Sequence, residues 1–234
     1  WIGNIMASRW AYEGLAVTQF MENDYEREFY ALDRRMKTAN WKKDLWVREL
    51  QNSVGQVRRG LDGHVPQEEM HYHLALLQHE LLRESTRLKG LEVPDANNLV
   101  PDRVGHEALD RVEASLDLLV EHYRRVYKQA EAEKEARIAA MTATPEQRAA
   151  YFKLLDGNRN ESLAEIVTNK NDVNMIVASE GRLVQKCDPI YLDPVDAGFF
   201  EAQFYAPAKW LFGVRIPTLW ANILVLWGMS FMLA

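Results

Sequence analysis

The chain has little of several features that mark familiar classes of protein. Its 234 residues include one cysteine, Cys187, which excludes an internal disulfide and indicates no redox compartment. No GxxxxGK[ST] loop is present to cradle phosphates, so we expect these residues to have no ATPase activity, no enzymatic function and no cofactor. The net charge of −6 argues against nucleic acid as a partner.

Charge is also lacking at the C-terminal end, where residues 216–234 contain no Asp, Glu, Lys or Arg. A helix of about 20 apolar residues is needed to cross about 30 Å of hydrocarbon. Lys209, Trp210 and Arg215 precede this run, and such residues anchor segments at a membrane interface. Asn222 within the run can be satisfied by the helix backbone or by a neighbouring helix. We therefore predict a last transmembrane helix, truncated at residue 234, rather than a buried helix of a soluble core.

The N-terminal end has a similar character, because the chain opens on Trp1 and its first six residues are mostly apolar. They lack the basic region and cleavage site of a signal peptide. We interpret them as the tail of a preceding membrane helix in a longer protein. The predicted organisation is the end of a membrane helix with an interfacial helix at 1–21, a helical domain at 22–205, and a re-entrant approach with the truncated last membrane helix at 206–234.

The middle of the chain shows the apolar spacing of one-sided helices. Residues 25–36 and 47–61 carry apolar side chains three or four positions apart, and Pro66 precedes a further stripe that ends before Gly90. The longest pattern, at 105–141, keeps a 3-4 alternation for three heptads, as in a coiled coil. Its apolar seam consists of Leu109, Val112, Leu116, Leu119, Tyr123, Val126 and Ala130.

A long helix with a single apolar seam is stable only against partners, and short connections predict antiparallel neighbours. The predicted fold is therefore mainly α, a long antiparallel helical hairpin or bundle inserted between two membrane segments. Thr144 and Ser162 are predicted helix caps. Residues 175–177 and 183–186, around a Glu-Gly turn, predict a small β-hairpin near the C-terminal end of the loop.

Two end segments carry a resemblance to a known family. SRWAYEGLAVTQF at residues 8–20, QKCDPIYLDP at 185–194 and FYAPAK at 204–209, continued by the apolar run, resemble permeases of the G-subfamily (White-type) ATP-binding-cassette transporters. In that family the first segment follows the fifth transmembrane helix, and residues 204–230 resemble the re-entrant approach and sixth helix. The segment at 185–194 resembles the exit of the external loop that is enlarged in bacterial members. The resemblance covers about 60 residues and is strongest to bacterial members with an enlarged external loop. The family pattern has Ala where this chain has Gly14, and the helical middle matches only as an insertion.

The resemblance implies an ATP-driven exporter of an amphipathic or lipid-like molecule. It places an ATP- and Mg-binding cassette on an earlier part of the same polypeptide, and it implies a homodimer in the inner membrane. The partners would be membrane lipid and the remainder of the permease. The central domain would lie on the non-cytoplasmic side and would close or gate the exit of the transport pathway.

The candidate residues for such a gate lie near the two ends. Arg9 and Glu13 are one helical turn apart and are predicted to pair at the membrane surface, where Trp10 would be an anchor. A simple anchoring role for these residues is the alternative. The full set of gate or interface candidates is Arg9, Trp10, Glu13, Asp188, Tyr191, Tyr205, Lys209 and Asn222.

A metal or catalytic site receives little support from the sequence. His71, His73 and His79 stand near Glu68, Glu69 and Glu80. On one helix, His71 and His73 point roughly 160° apart and His73 and His79 roughly 120° apart, so the three cannot converge on one ion. His71 and His79 could share a broad face with Glu68, which leaves a metal site as the alternative, but we interpret the group as a solvated polar face. Aspartates 188, 193 and 196 fall in a proline-rich turn where Asp is common. We predict no metal ligand and no catalytic residue.

A second hypothesis comes from a different class of protein. In it, the chain is a membrane-tethered helical coiled-coil interaction module that assembles with an envelope partner protein and transports nothing. The coding sequence ahead of Trp1 would distinguish the exporter hypothesis from the interaction-module hypothesis. A Walker motif and about five apolar segments there favour the exporter, and a single membrane span favours the module.

Overall fold

The protein is mainly helical, as predicted, with two short antiparallel hairpins. The computed structural model describes residues 6–88, 96–179, 181–192, 203–211 and 213–233. The helices are α1 (Ala7–Met21), α2 (Asp24–Trp41), α3 (Val47–Leu61), α4 (Gln67–Arg87), α5 (His106–Met141), α6 (Pro145–Asn158), α7 (Glu161–Thr168) and α8 (Thr218–Leu233). A π-helical turn, Lys42–Trp46, joins α2 to α3, and 3₁₀ turns form at Ala96–Asn98 and Pro189–Tyr191. The strands are β1 (Ile176–Ser179), β2 (Arg182–Gln185), β3 (Ala208–Leu211) and β4 (Val214–Pro217).

The chain divides into two compact units. Unit 1 comprises Trp1–Thr38, Lys128–Val173 and Lys186–Ala234, and unit 2 comprises Ala39–Tyr127 and Asn174–Gln185. Helices α2 and α5 each contribute to both units. The domain boundaries predicted after residues 21 and 205 stay predictions.

Unit 2 is a helical bundle built on the apolar stripes that the sequence predicts. The stripe residues of α3, α4 and the first half of α5 are buried: Val47, Leu50, Val54, Val57, Met70, Leu74, Leu77, Leu81, Leu109, Val112, Leu116 and Leu119. Burying one such side chain contributes about 1.5–3 kcal/mol. The part of the predicted seam from Leu109 to Tyr123 is therefore confirmed as core of this unit, whereas Val126 is half-buried and Ala130 belongs to unit 1.

The helix directions in unit 2 follow from its ion pairs. Arg58, at the end of α3, lies 3.0 Å from Asp110 at the start of α5. Glu84, near the end of α4, contacts both Lys42 ahead of α3 and Tyr123 of α5. Helix α3 is thus antiparallel to α4 and α5, while α4 and α5 are parallel. The predicted antiparallel return is right for α3 and α4 and wrong for α4 and α5. Between these two helices in the sequence, the 3₁₀ turn at Ala96–Asn98 contacts α4.

Unit 1 pairs α2 with the second half of α5 and α1 with α8. Lys134 lies 2.5 Å from Asp33, and Arg35 lies 2.7 Å from Glu133, so α2 and α5 run antiparallel. Helix α7 packs against α1. The shared core contains Ala16, Val17, Phe20, Leu163, Val167, Ile190 and Tyr191.

Local predictions succeed unevenly. The Thr144 cap is confirmed, because the Thr144 hydroxyl accepts a hydrogen bond from the Gln147 backbone N–H. The Gln147 side-chain oxygen in turn accepts a hydrogen bond from the Thr144 backbone N–H. The Ser162 cap is wrong, since Asn160 caps α7 instead. The hairpin near residue 180 is confirmed as β1–β2, with Ile176 opposite Gln185. Gly181 adopts φ +70° beside its turn, a conformation that favours glycine.

The β3–β4 hairpin is not predicted by the sequence. Strand β4 holds residues that the apolar run assigned to a membrane helix, so α8 begins at Thr218 and contains 16 residues. Within the part of the chain that the structure describes, no helix is long and apolar enough to cross a membrane. Trp1, Gly90, Asp193 and Asp196, which also figure in the sequence predictions, lie outside the described residues.

Candidate functional site

Six of the eight candidate residues lie together in unit 1, where α1 meets β3 and α8. We call this group the α1–α8 cluster. Its contacts join residues that are up to 212 positions apart in the sequence. The cluster consists of Arg9, Trp10, Glu13, Tyr205, Lys209 and Asn222.

Glu13 is the centre of the α1–α8 cluster, with 0% of its surface exposed. Its Oε2 lies 2.6 Å from Lys209 Nζ and accepts a hydrogen bond from Asn222 Nδ2 at 3.0 Å. Its Oε1 accepts from the backbone N–H of Tyr205 at 3.2 Å. A buried carboxylate is tolerated only with such charge pairing and hydrogen bonding. The three donors therefore account for an acidic residue on the buried face of α1.

Lys209 is the cation of the cluster, and 3% of it is exposed. Burial lowers the pKa of Lys209, and the neighbouring charge of Glu13 opposes that shift. Its Nζ also lies 4.6 Å from the centre of the Trp10 ring, a cation–π distance. Strand β3 thus supplies an ammonium group at the point where α1 buries its carboxylate.

The predicted pairing of Arg9 with Glu13 needs correction, because the cation that the structure places on Glu13 is Lys209. Glu13 is on the buried face of α1, where β3 reaches it. The guanidinium of Arg9 instead lies 4.9 Å from the ring centre of Phe204 and 5.4 Å from that of Trp10. Spacing along one helix suggested Arg9 as the partner of Glu13, whereas the partner in the structure comes from a distant strand.

Asn222 explains how a polar side chain fits into the apolar run. Its Nδ2 donates to the backbone oxygen of Trp10 at 2.8 Å as well as to Glu13. The prediction that a neighbouring helix satisfies Asn222 is thus confirmed for its amide nitrogen. Its buried Oδ1 has no hydrogen-bond partner among the described residues. Opposite it, a Cβ added to Gly14 would lie 3.6 Å from Asn222 Cβ, an ordinary contact, so the alanine of the family pattern would fit here.

The other two candidates lie in the core of unit 1 around α7. The Tyr191 ring is buried, with its centre 6.1 Å from that of Phe20 and 5.4 Å from that of Tyr30. Burial raises the pKa of Tyr191. Asp188 Oδ1 lies 3.1 Å from Lys37 Nζ. These contacts give Asp188 and Tyr191 a packing role apart from the α1–α8 cluster.

A second buried polar group, in unit 2, was missed by the sequence reasoning. Lys42 Nζ lies 2.5 Å from Glu84 Oε2, and Tyr123 donates its hydroxyl to Glu84 Oε1. Burial lowers the pKa of Lys42, while the charge and hydrogen bond of Lys42 hold the pKa of Glu84 below its usual value. We call Lys42, Trp46, Glu80, Glu84 and Tyr123 the polar core of unit 2.

Glu80 completes that polar core. Its Oε2 accepts from Trp46 Nε1 at 2.6 Å, and its Oε1 accepts from the backbone N–H of Leu183 at 3.1 Å. The predicted solvated face is therefore wrong for Glu80, which is 2% exposed. Glu80 and Glu84 follow the buried Leu76 at intervals of four, and this spacing is a signal that could have revealed them. The π-helical turn that carries Lys42 and Trp46 has no such signal.

The histidines of α4 differ in their surroundings. Within the part of the chain that the structure describes, no group of three metal-type ligands is present. His71 is exposed, and His73 Nδ1 lies 3.1 Å from Ser53 Oγ. Burial lowers the pKa of His73, which favours the neutral ring. Cys187 is buried.

Helix α8 leaves a row of large apolar side chains uncovered on the side away from the cluster. Trp220, Leu224, Trp227 and Phe231 recur at intervals of four, three and four, and each is at least 45% exposed. Leu15 of α1 is 65% exposed as well. Contiguous apolar surface of this kind marks contact with a membrane or another protein.

Comparisons of the chain with protein-family models, curated proteins and solved structures give no match. The likeness to G-subfamily permeases therefore rests on the two end segments alone and stays a prediction.

Proposed function

We propose that the chain is the non-cytoplasmic domain, with adjoining membrane segments, of an ATP-driven ABC exporter permease. In this proposal the domain closes or gates the exit of the pathway for an amphipathic or lipid-like substrate. The observation that carries it is the α1–α8 cluster, in which a buried Glu13 joins α1 to β3 and α8. The proposal also uses the resemblance of the two end segments.

The cluster is suited to transmitting movement. Separating α1 from β3 would break the ion pair of Glu13 with Lys209 and the hydrogen bond from the backbone N–H of Tyr205 to Glu13. Separating α1 from α8 would break the bonds of Asn222 to Trp10 and Glu13. We therefore expect α1, β3 and α8 to move together, so that a shift of α8 displaces the domain attached to it.

The apolar row of α8 supports a lipid-facing position for this helix. Exposed Trp and Phe side chains are costly in water and stable at the edge of a bilayer. Trp220 and Trp227 belong to the row, and tryptophan is enriched at membrane interfaces. The opposite face of α8 is covered by α1. Contact with lipid would cover the apolar side chains of α8 that the protein leaves exposed.

The test is Glu13→Gln in the full-length protein, assayed in membrane vesicles for export and for substrate-stimulated ATP hydrolysis. Glutamine keeps the shape of the side chain but leaves Lys209 buried without a counter-charge. We expect normal membrane insertion and basal ATPase activity with a loss of about tenfold or more in export, as when a buried charge loses its partner. Glu22→Gln, at the exposed end of α1, is the matched control and should export normally.

A second variant protects this test against simple misfolding. Glu13→Gln combined with Lys209→Met removes both charges and restores packing without an orphaned ion. If export depends on a tight contact between α1 and β3, the double variant should export better than Glu13→Gln alone. Unchanged export in Glu13→Gln would contradict the gate, and the interaction module would become the better hypothesis.

A further inference from the structure

Unit 1 contains an open cleft outside the α1–α8 cluster. Its volume is about 780 Å³, which lies within the range of small-molecule sites. The cleft lies against α2, the end of α6 and α7. Phe20 and Tyr191 lie at its buried floor, and Tyr25, Leu155 and Ala164 add partly exposed apolar surface.

The charges that line the cleft are mostly paired. Lys134 lies 2.5 Å from Asp33, and Arg159 lies 2.5 Å from Glu161. Lys37 lies 3.1 Å from Asp188. Each of these three cations therefore already has a carboxylate partner and adds little net field inside the cleft. Lys170 and Glu165, at the outer part of the lining, offset each other in charge.

Glu26 is a carboxylate of the cleft that these ion pairs do not include. It lines the cleft, is half-buried, and makes no ion pair with any described residue. Burial and the neighbouring charge of Asp33 raise the pKa of Glu26 to about 6, against the opposing effect of Lys134. The ionised form of Glu26 is thus poorly compensated by the protein, and a bound cation would compensate it.

We propose that this cleft binds an organic cation with a flat apolar body. Glu26 supplies the counter-charge, and the ring of Tyr25 beside it contacts the apolar part of the ligand and favours a cation at its face. The position of Tyr25 is fixed by its neighbours, because its ring centre lies 5.1 Å from that of Phe29 and 6.2 Å from that of Tyr151. This inference does not depend on the proposed export function, since it concerns binding alone.

The first test compares two dyes with one ring system, cationic rhodamine 6G and anionic fluorescein, by fluorescence anisotropy with the purified full-length protein. We expect rhodamine 6G to bind at pH 7.5 and fluorescein to bind far more weakly. Glu26→Gln should weaken rhodamine 6G binding about tenfold or more, because a partly buried contact between charged groups is lost. Glu28→Gln, an exposed change two positions away on α2, should leave the affinity unchanged.

The second test fills the cleft without changing its charge. Gly157 lines the cleft, and a Cβ added there would meet no atom within 4 Å. Gly157→Trp should therefore fold normally, which circular dichroism can verify, and should weaken rhodamine 6G binding about tenfold or more by occupying space that the ligand needs. Equal affinity of wild type, Glu26→Gln and Gly157→Trp would show that the dye adheres to apolar surface elsewhere, and this would overturn the proposal. Equal binding of fluorescein and rhodamine 6G would also overturn it.

Discussion

At the scale of single residues, a buried lysine–carboxylate pair is found in each unit. Unit 1 has Lys209 with Glu13, and unit 2 has Lys42 with Glu84. Desolvation of such a pair cancels much of its attraction, so a buried pair is weak evidence for high stability. Such a pair makes the packing specific, because any other packing arrangement would leave a buried charge without its partner. Each pair therefore determines how its elements pack together more than it raises the stability of the protein.

Removing one member of the unit 2 pair tests this account. Lys42→Met leaves Glu84 buried without its cation and should destabilise the protein by about 3–5 kcal/mol. Adding Glu84→Gln removes the orphaned charge while keeping an acceptor for Tyr123, so the double variant should recover a large part of that loss. Urea unfolding of the wild type, both single variants and the double variant measures the coupling. Additive free-energy changes would contradict the coupling that the structure shows.

At the scale of elements, α3 and α4 lie close together at Gly60. A Cβ added to Gly60 would lie 2.5 Å from Met70 Cγ and 2.6 Å from Met70 Cβ. The second of these atoms is next to the backbone and cannot swing away, so the two helices would have to separate. Gly60 is thus required where α3 meets the start of α4, although Gly is a poor helix former.

Two alanine substitutions in α3 separate packing from helix propensity. Gly55→Ala should stabilise the protein by about 0.5–1 kcal/mol, because its added Cβ meets nothing within 4 Å and alanine favours helix. Gly60→Ala gains the same propensity but forces the helices apart, and we expect a net loss of about 1–3 kcal/mol. Thermal unfolding of the two variants provides the measurement. A shift of the same sign in both would show that α3 and α4 are not in close contact at Gly60.

The sequence predicted these helices because apolar spacing along one segment is a local signal. The seam residues Leu109, Leu116 and Leu119 are all fully buried, as their heptad positions indicate. The partners of buried polar groups are not local, and Glu13 and Lys209 are 196 positions apart. Six of the candidate residues lie together in the structure, but the way in which they pair could be read only from the fold.

Short elements were harder to predict for a related reason. Strand β4 has four residues and lies in a run whose apolar composition also suits a helix, so periodicity could not distinguish the two. Its pairing with β3, which sets Trp210 opposite Arg215, decides the conformation. The π-helical turn at Lys42–Trp46 likewise depends on the contacts of Lys42 and Trp46 in the polar core of unit 2.

At the scale of the whole molecule, unit 1 is assembled from three separate stretches of chain, and most of unit 2 lies between the first and second of them. A domain tolerates a long insertion where the two ends of the insertion lie close together. Helix α1 and helix α8, which flank everything else in the described chain, pack against each other in unit 1. This arrangement is what we expect of a domain inserted between two neighbouring membrane segments.

The exporter proposal predicts that the inserted domain lies on the non-cytoplasmic side of the membrane. Val173, at the end of the second stretch of unit 1, is 93% exposed and offers a site for chemical labelling. In intact cells that produce the full-length protein, Val173→Cys should react with a membrane-impermeant maleimide, because the reagent reaches only the outer side. Cys187 is 8% exposed and should stay unlabelled in the unsubstituted protein, which provides the control. Labelling of Val173→Cys only after the cells are permeabilised would place the domain in the cytoplasm and contradict a gate at the exit of the pathway.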